Sequence, residues 1–137
     1  MKPTSIAAGN EPAAVAREML LDPNGRNARI RIYIGADKRH GDQPLYEAVV
    51  LKARQIQMAG ATVVRGTLGY GRSTRLHTTR VVFSEDLPVI VEIVDSHDKI
   101  RSFVPLLAGF NEIGLVTCDE VSVLLYPPIP GPSDKSA

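Results

Sequence analysis

The residues best suited to bind a ligand form a glycine-rich turn with basic residues beyond it. The turn reads RGTLGYGR over residues 65–72 and directly follows the β-branched run 62–64. Gly69 and Gly71 let the backbone turn sharply and let a ligand approach the N–H groups closely. The basic residues that accompany them are Arg72, Arg75, His77 and Arg80. This pattern predicts a site for an anion or a protein partner; the alternatives are a simple strand end and a solvated charged surface.

A second candidate group, Lys38, Arg39 and His40, lies in the polar loop 35–43. The loop precedes a helix that is predicted to open at Pro44, and the N-terminus of a helix favours anions. We expect these three side chains to form a second wall of the same cleft. An ordinary exposed loop is the alternative.

Metal binding and catalysis have little support in the sequence. The three histidines and the single cysteine (His40, His77, His97 and Cys118) lack the HxxxH or CxxC spacing of metal ligands. Neither a GxSxG turn nor a Walker loop occurs, and no nucleophile is paired with a recognisable base. We therefore predict no catalytic residue, no metal site and no enzymatic activity. Clustering of one histidine from each copy of an oligomer remains an alternative.

The composition limits the class of protein. At 137 residues the chain fits one domain that can bury a core without disulfides. A net charge of +1 argues against a general nucleic-acid binder, which needs a concentrated basic surface. No apolar run approaches the ~20 residues that span a bilayer, and Gly9, Asn10 and Glu11 interrupt the apolar start. We expect no signal peptide and a cytoplasmic location.

Periodicity predicts four strands and two helices. The strands are predicted at 29–34, 61–68, 88–95 and 120–126. One helix is predicted from Pro44 to a stop at Gly60, and a second over 98–110 with Ser96 as its N-cap and a kink at Pro105. The order βαββαβ predicts an α+β, ferredoxin-like fold, with a four-stranded antiparallel sheet and both helices on one face. It occupies residues 28–126, between a flexible leader (1–27) and a disordered, proline-rich tail (127–137).

The last two predicted strands carry large apolar residues on both faces. The helices can cover only one face of the sheet. The other would expose Ile90, Val94, Leu124 and Tyr126, which a monomer usually avoids. The pattern therefore predicts that this face is buried between subunits.

The chain resembles the PII signal-transduction proteins over residues 62–126, through GYGR at 69–72, the basic loop and DLPVIVEIV at 86–94. It is more closely similar to a PII-like protein family of unknown function. That similarity covers nearly all of 31–126, through RIYIG at 31–35, PLYEA at 44–48, GATV at 60–63, RG at 65–66, GYG at 69–71 and LPV at 87–89.

The resemblance implies a homotrimer with its sheets inside and its helices outside. In PII proteins, adenine nucleotides or other small effectors bind between subunits and move a loop that contacts a channel, enzyme or transcription factor. Gly69, Gly71 and Arg72 match the start of that loop. Members of the closer family occur beside fluoride-channel proteins, which suggests a membrane channel or transporter as partner. The chain departs from the PII pattern at 114–120, where a lysine-rich phosphate loop is replaced by a stretch that ends in Asp119 and Glu120.

The leading hypothesis is a non-enzymatic, PII-like regulatory protein. It binds a small anionic effector, with an adenine nucleotide as one candidate, near Gly69, Gly71, Arg72 and the 38–40 segment, and it signals through the basic loop. Two alternatives from other classes remain open. One is a cation-binding homeostasis protein, and the other is a ligand-free accessory subunit of a membrane ion transporter.

Overall fold

The computed structural model describes residues 25–71, the backbone of 77–78, and residues 87–127. Helix α1 is Leu45–Gln55 and helix α2 is His97–Leu107. The strands in chain order are β1 (Asn27–Gly35), β2 (Arg39–His40), β3 (Gln43–Pro44), β4 (Thr62–Arg65), β5 (Leu68–Gly69), β6 (His77–Thr78), β7 (Pro88–Ser96) and β8 (Leu115–Val121). Leader residues 1–24 and tail residues 128–137 lie outside the described residues.

The main sheet has the strand order β4-β7-β1-β8, and every neighbouring pair is antiparallel. Two short hairpins accompany it, β2–β3 and β5–β6. The chain thus passes through strand, helix, two strands, helix and strand, with β1 and β7 in the centre. The predicted ferredoxin-like α+β fold is confirmed.

The core lies between one face of the sheet and the two helices. Alternate residues of β1 are buried, and the register places them beside alternate residues of β7, as Ile30 beside Ile93 and Ile32 beside Val91. Both helices pack on this face. Their buried side chains are Leu45, Ala48, Val49 and Ala53 from α1 and Ile100, Phe103 and Leu107 from α2. Period-2 burial in the strands and a one-sided apolar stripe on each helix account for this two-layer arrangement.

The opposite face of the sheet carries both ion pairs and apolar side chains. The guanidinium of Arg29 pairs with Asp119 at 2.8 Å, and Nε of Arg31 donates to Glu92 at 3.0 Å. The Glu92 hydrogen bond raises the pKa of the Arg31 guanidinium above its usual range. The apolar or aromatic side chains on this face include Tyr33, Val64, Ile90, Val94, Leu115 and Val121. We call it the open face, because neither helix covers it.

Both helices end earlier than periodicity predicts. At the end of α1, Gln57 adopts the left-handed conformation (φ 61°), its N–H bonds to Arg54 O, and the N–H of Met58 bonds to Ala53 O at 3.0 Å. This is the Schellman arrangement, here without a glycine, so the predicted stop at Gly60 is wrong.

Ser96 caps α2 as predicted, because its Oγ accepts a hydrogen bond from the N–H of Lys99 at 3.2 Å. The predicted end near residue 110 is wrong. The N–H groups of Ala108, Gly109 and Phe110 each bond to the carbonyl three residues earlier, which tightens the chain after Leu107. Pro105 lies in the last turn of this helix.

The predicted fourth strand at 120–126 is also wrong, because the strand is Leu115–Val121. The N–H of Gly114 donates to Tyr33 O at 2.9 Å and so starts the pairing with β1 six residues before the predicted position. β1 begins at Asn27, opposite Val121, and offers no further partner. Leu124 therefore lies outside the sheet and is 93% exposed. Tyr126 donates its hydroxyl to Ala59 O at 3.2 Å instead of lying on a strand.

Candidate functional site

Two of the predicted binding segments start from the same end of the sheet. The N–H of Ala36, just beyond β1, donates to Leu87 O at 2.9 Å. The N–H of Gly66, just beyond β4, donates to Pro88 O at 2.8 Å. β1 and β4 both end here, and β7 begins between them. The segment that follows Gly35 and the chain that leaves at Gly66 and returns at Leu87 therefore adjoin.

Packing against Pro88 explains two glycines of the turn. A Cβ on Gly66 would lie 2.8 Å from Pro88 Cγ, and a Cβ on Gly69 would lie 3.3 Å from the same atom. A Cβ on Gly71 would have no atom of the described residues within 4 Å. The interpretation of Gly69 as a ligand contact therefore competes with a packing role. Packing among the described residues does not require a glycine at Gly71.

The turn continues into a short hairpin, which splits the predicted strand 61–68. β5 pairs with β6, with Leu68 opposite Thr78 and Gly69 opposite His77. The pairing of β4 with β7 stops at Arg65, opposite Val89, because Gly66 then crosses over the ring of Pro88, which has no N–H to donate. The side chains of Arg72, Arg75, His77 and Arg80 lie outside the described residues, so their predicted roles stay predictions.

The three residues of the second candidate group already have partners. Lys38 Nζ lies 3.7 Å from Oε1 of Glu112. Arg39 donates to the carbonyl of Asp42, which closes the β2–β3 hairpin. The imidazole of His40 packs edge-on against Phe110, with ring centroids 4.8 Å apart. The group thus holds its own hairpin to the connection after α2, and only the exposed Lys38 pair is weak enough to exchange partners easily.

An arginine at the foot of the turn was not among the predicted binding residues. Arg65 Nη2 donates to the hydroxyl of Tyr46 at 2.9 Å, and its guanidinium carbon lies 5.3 Å from the centre of the tyrosine ring. Within the part of the chain that the structure describes, Arg65 has no carboxylate partner. These residues are 19 positions apart, and the packing of α1 on β7, the neighbour of β4, brings them together.

The two carboxylates that end the stretch departing from the PII pattern lie at the other end of the sheet. Asp119 and Glu120 belong to β8, where Asp119 is paired with Arg29 and Glu120 Oε2 lies 3.9 Å from Arg26. Glu120 stands opposite Ala28, near the start of β1, whereas the glycine turn adjoins the end of β1. Within one chain these carboxylates therefore lie far from the turn. Residues 108–114, and not the stretch that ends in Asp119 and Glu120, connect α2 to β8.

A buried carboxylate, that of Asp95, also lies at the end of the sheet where β1 begins. Asp95 is fully buried and accepts hydrogen bonds from the N–H of Ala59 at 2.7 Å and the N–H of Ser96 at 2.6 Å. Lys99 Nζ lies 3.8 Å away and also donates to the carbonyl of Gln57. Burial raises the pKa of Asp95, although its hydrogen bonds and Lys99 act in the opposite direction. Asp95 ties the connection before β4 to the start of α2.

A metal site finds no support in residues 25–71 and 87–127, where no three His, Cys, Asp or Glu side chains come together in a group that could hold an ion. Nor does either helix of these ranges have the length and apolar character needed to cross a membrane.

The comparisons with known proteins place the chain among uncharacterised relatives. Residues 27–123 match the model of the family DUF190, described as "Uncharacterized ACR, COG1993". A UPF0166 protein of Aquifex aeolicus is 31% identical over 96 residues, which cover 69% of this chain and 90% of that protein. A UPF0166 protein of Methanocaldococcus jannaschii is 28% identical over 78 residues, which cover 57% and 72% of the two chains.

Proposed function

The chain belongs to the uncharacterised family DUF190, and from that premise we propose that it is a non-enzymatic, PII-like regulatory protein of the cytoplasm. It binds a small anionic effector, such as an adenine nucleotide, at clefts between the subunits of a homotrimer. The effector changes the conformation of the segment between Gly71 and Leu87, and this segment contacts the regulated protein.

The observation that carries the proposal is the convergence of two segments at one end of the sheet. The chain leaves the sheet at Gly66 and returns at Leu87, beside the segment that follows Gly35. A ligand at this point would touch the foot of the basic segment without entering the core. Binding there can favour one conformation of that segment if the ligand contacts the two conformations differently.

Gly71 and Arg65 make this end of the sheet suitable for an anion. Among the described residues, nothing lies within 4 Å of where a side chain on Gly71 would begin, which leaves its backbone open to approach from that part of the chain. Arg65 supplies a guanidinium that no carboxylate of the described residues neutralises. Arg72 and Arg75 add positive charge to the same segment of the sequence. Open backbone donors beside unneutralised cations favour phosphate or carboxylate groups.

The open face supports assembly into an oligomer. Val64, Ile90 and Val94 lie on adjacent strands of this face, and neither helix shields them. Across β1, the Arg29–Asp119 and Arg31–Glu92 pairs satisfy their charges within one chain, which lowers the cost of burying the face. Packing of three such faces against one another would bring together the three places at which a chain leaves its sheet at Gly66 and returns at Leu87. A trimer built in this way supplies clefts between subunits.

Calorimetric titration of the purified protein tests the proposal. The probes are ATP, ADP, a cyclic dinucleotide and bicarbonate, each in the same buffer, while light scattering measures the oligomeric state. We expect heat of binding from at least one probe and the mass of a trimer. Gly71→Ala is expected to weaken binding without lowering the thermal unfolding temperature. No heat from any of the probes, or a stable monomer at micromolar concentration, would contradict the proposal.

A further inference from the structure

We propose that Arg65, held in position by Tyr46, is an oxyanion-binding residue of the effector site. Within the described residues, the other cations near the site are already engaged: Lys38 faces Glu112, and Arg39 donates to the carbonyl of Asp42. Arg65 differs because its only described partner is a neutral hydroxyl. The inference rests on the proposed function, since it names the group that this site would bind.

The geometry leaves most of the guanidinium available. Only Nη2 is committed to Tyr46 Oη, at 2.9 Å. A guanidinium has five N–H donors in a planar fork, and a pair of them matches the two oxygens of a phosphate or carboxylate. The Arg65 side chain is exposed, so an oxyanion can reach these donors from solvent. A carboxylate partner, in contrast, would have to be displaced before an effector could bind.

Tyr46 fixes the direction of the fork before any ligand arrives. It lies in the first turn of α1, with its ring 5.3 Å from the guanidinium carbon and its hydroxyl bonded to Nη2. An arginine that is already oriented loses less rotamer entropy on binding than a free one. The tyrosine is therefore a positioning residue, and the arginine makes the contact.

Because of its position, Arg65 links a bound oxyanion to the segment between Gly71 and Leu87. It is the last residue of β4, and the next residue, Gly66, is fixed to Pro88 by its 2.8 Å hydrogen bond. A ligand that draws the guanidinium toward itself acts directly on the point where the chain leaves the sheet. It also acts on α1 through Tyr46. The same contact can thus detect the anion and transmit its presence.

The test compares Arg65→Gln, Arg65→Lys and Tyr46→Phe with the wild-type protein in titrations with ATP, inorganic pyrophosphate and bicarbonate. We expect Arg65→Gln to weaken binding about tenfold or more, and Arg65→Lys to weaken it less, because charge without the fork recovers only part of the contact. Tyr46→Phe should weaken binding about threefold, since the ring remains. Arg54→Gln removes an exposed arginine from the last turn of α1 and should leave affinity unchanged.

The outcomes separate the two proposals. If the wild-type protein binds a probe and Arg65→Gln binds it equally well, the role of Arg65 is excluded and the proposed function stands. If the wild-type protein binds none of the probes, the role of Arg65 and the proposed function are both overturned. Binding of pyrophosphate as well as ATP identifies a phosphate group as the ligand, and binding of bicarbonate alone identifies a free oxyanion. Thermal unfolding of each variant shows whether a lost affinity reflects lost structure; a purely structural role would lower the unfolding temperature and leave affinity intact.

Discussion

The ring of Pro88 lies against the backbone of Gly66, so that a Cβ on Gly66 would stand 2.8 Å from Pro88 Cγ. Real Cβ atoms do not come that close to a carbon, and a proline ring cannot rotate away. The contact fixes the point at which the chain leaves the sheet. Packing therefore accounts for the first glycine of the turn.

Substitution of the glycines in this turn should separate packing from binding. We expect Gly66→Ala to lower the free energy of unfolding by about 1–3 kcal/mol, because it overpacks the contact with Pro88. Gly69→Ala, with a Cβ 3.3 Å from the same atom, should cost less. Gly71→Ala should be neutral or slightly stabilising, because its Cβ would meet no atom of the residues that the structure describes and the unfolded chain loses entropy. Denaturant unfolding with each variant measures these differences.

Pro88→Ala provides the control for this series. It removes Cγ, the nearest atom to both glycines. The cost of Gly66→Ala should therefore be smaller in the Pro88→Ala background than in the wild-type protein. Equal costs in the two backgrounds would show that the strain arises elsewhere.

The order of elements could be predicted because each one is encoded locally. Residues 29–34 alternate in polarity, and Ser96 precedes an apolar stripe, so β1 and α2 follow from pattern and cap. The end of a strand depends on its partner, however. Residues 122–126 have strand-like side chains, yet β1 starts at Asn27 and leaves them without a ladder. Nothing in residues 120–126 themselves indicates where β1 begins, and so where the last strand must end.

The candidate site could be predicted only in part for the same reason. The turn at 65–71 is visible as a run of glycines, but the sequence does not show that Gly66 and Gly69 are set by the ring of Pro88. Nor does it show that Arg65 meets Tyr46, because the contact depends on where α1 packs. Charge and the place of the loop before a helix suggested the Lys38 segment, whereas its charges are already shared with Glu112 and a backbone carbonyl.

Removal of the buried carboxylate at Asp95 should destabilise the fold in a pH-dependent manner. Asp95→Asn replaces one acceptor oxygen by an NH₂ group that faces a backbone N–H, which should cost about 1–3 kcal/mol. Because burial raises the pKa of Asp95 in the folded protein, the folded state binds its proton more tightly than the unfolded state. The stability that Asp95 contributes is therefore fully present below the unfolded pKa of about 3.9 and declines as the pH rises toward the folded pKa.

Urea unfolding of wild-type protein and Asp95→Asn at a series of pH values, from acidic to neutral, checks this sign. The difference in unfolding free energy between the two proteins should be largest at the acidic end. A difference that grows with pH would mean that the hydrogen bonds from Ala59 and Ser96 outweigh burial and lower the pKa. Ser102→Ala, at an exposed position on α2, is the control without a titrating group.

A charge placed on the open face should disrupt the proposed trimer. Ile90 lies on the central strand β7, and its side chain points away from the helices, so Ile90→Glu leaves the core intact. We expect this variant to be a folded monomer by light scattering and circular dichroism. Leu51→Glu is the matched control, because Leu51 is an exposed apolar residue on α1, 44% accessible, on the helical side of the molecule. A trimer that survives Ile90→Glu would place the subunit interface on another surface.

Release of Lys38 from its ion pair should increase the affinity for an anionic effector. Lys38 Nζ and Glu112 Oε1 are 3.7 Å apart at an exposed position, so Glu112→Gln should change stability by less than about 1 kcal/mol. If Lys38 faces the effector, the freed charge should strengthen ATP binding about two- to fivefold at low ionic strength, and salt should reduce the gain. Lys38→Met should weaken binding. Glu120→Gln removes an exposed carboxylate 3.9 Å from Arg26 at the far end of the sheet and should have no effect. Equal affinities in Glu112→Gln and Glu120→Gln would show that the 38–40 segment does not contact the effector.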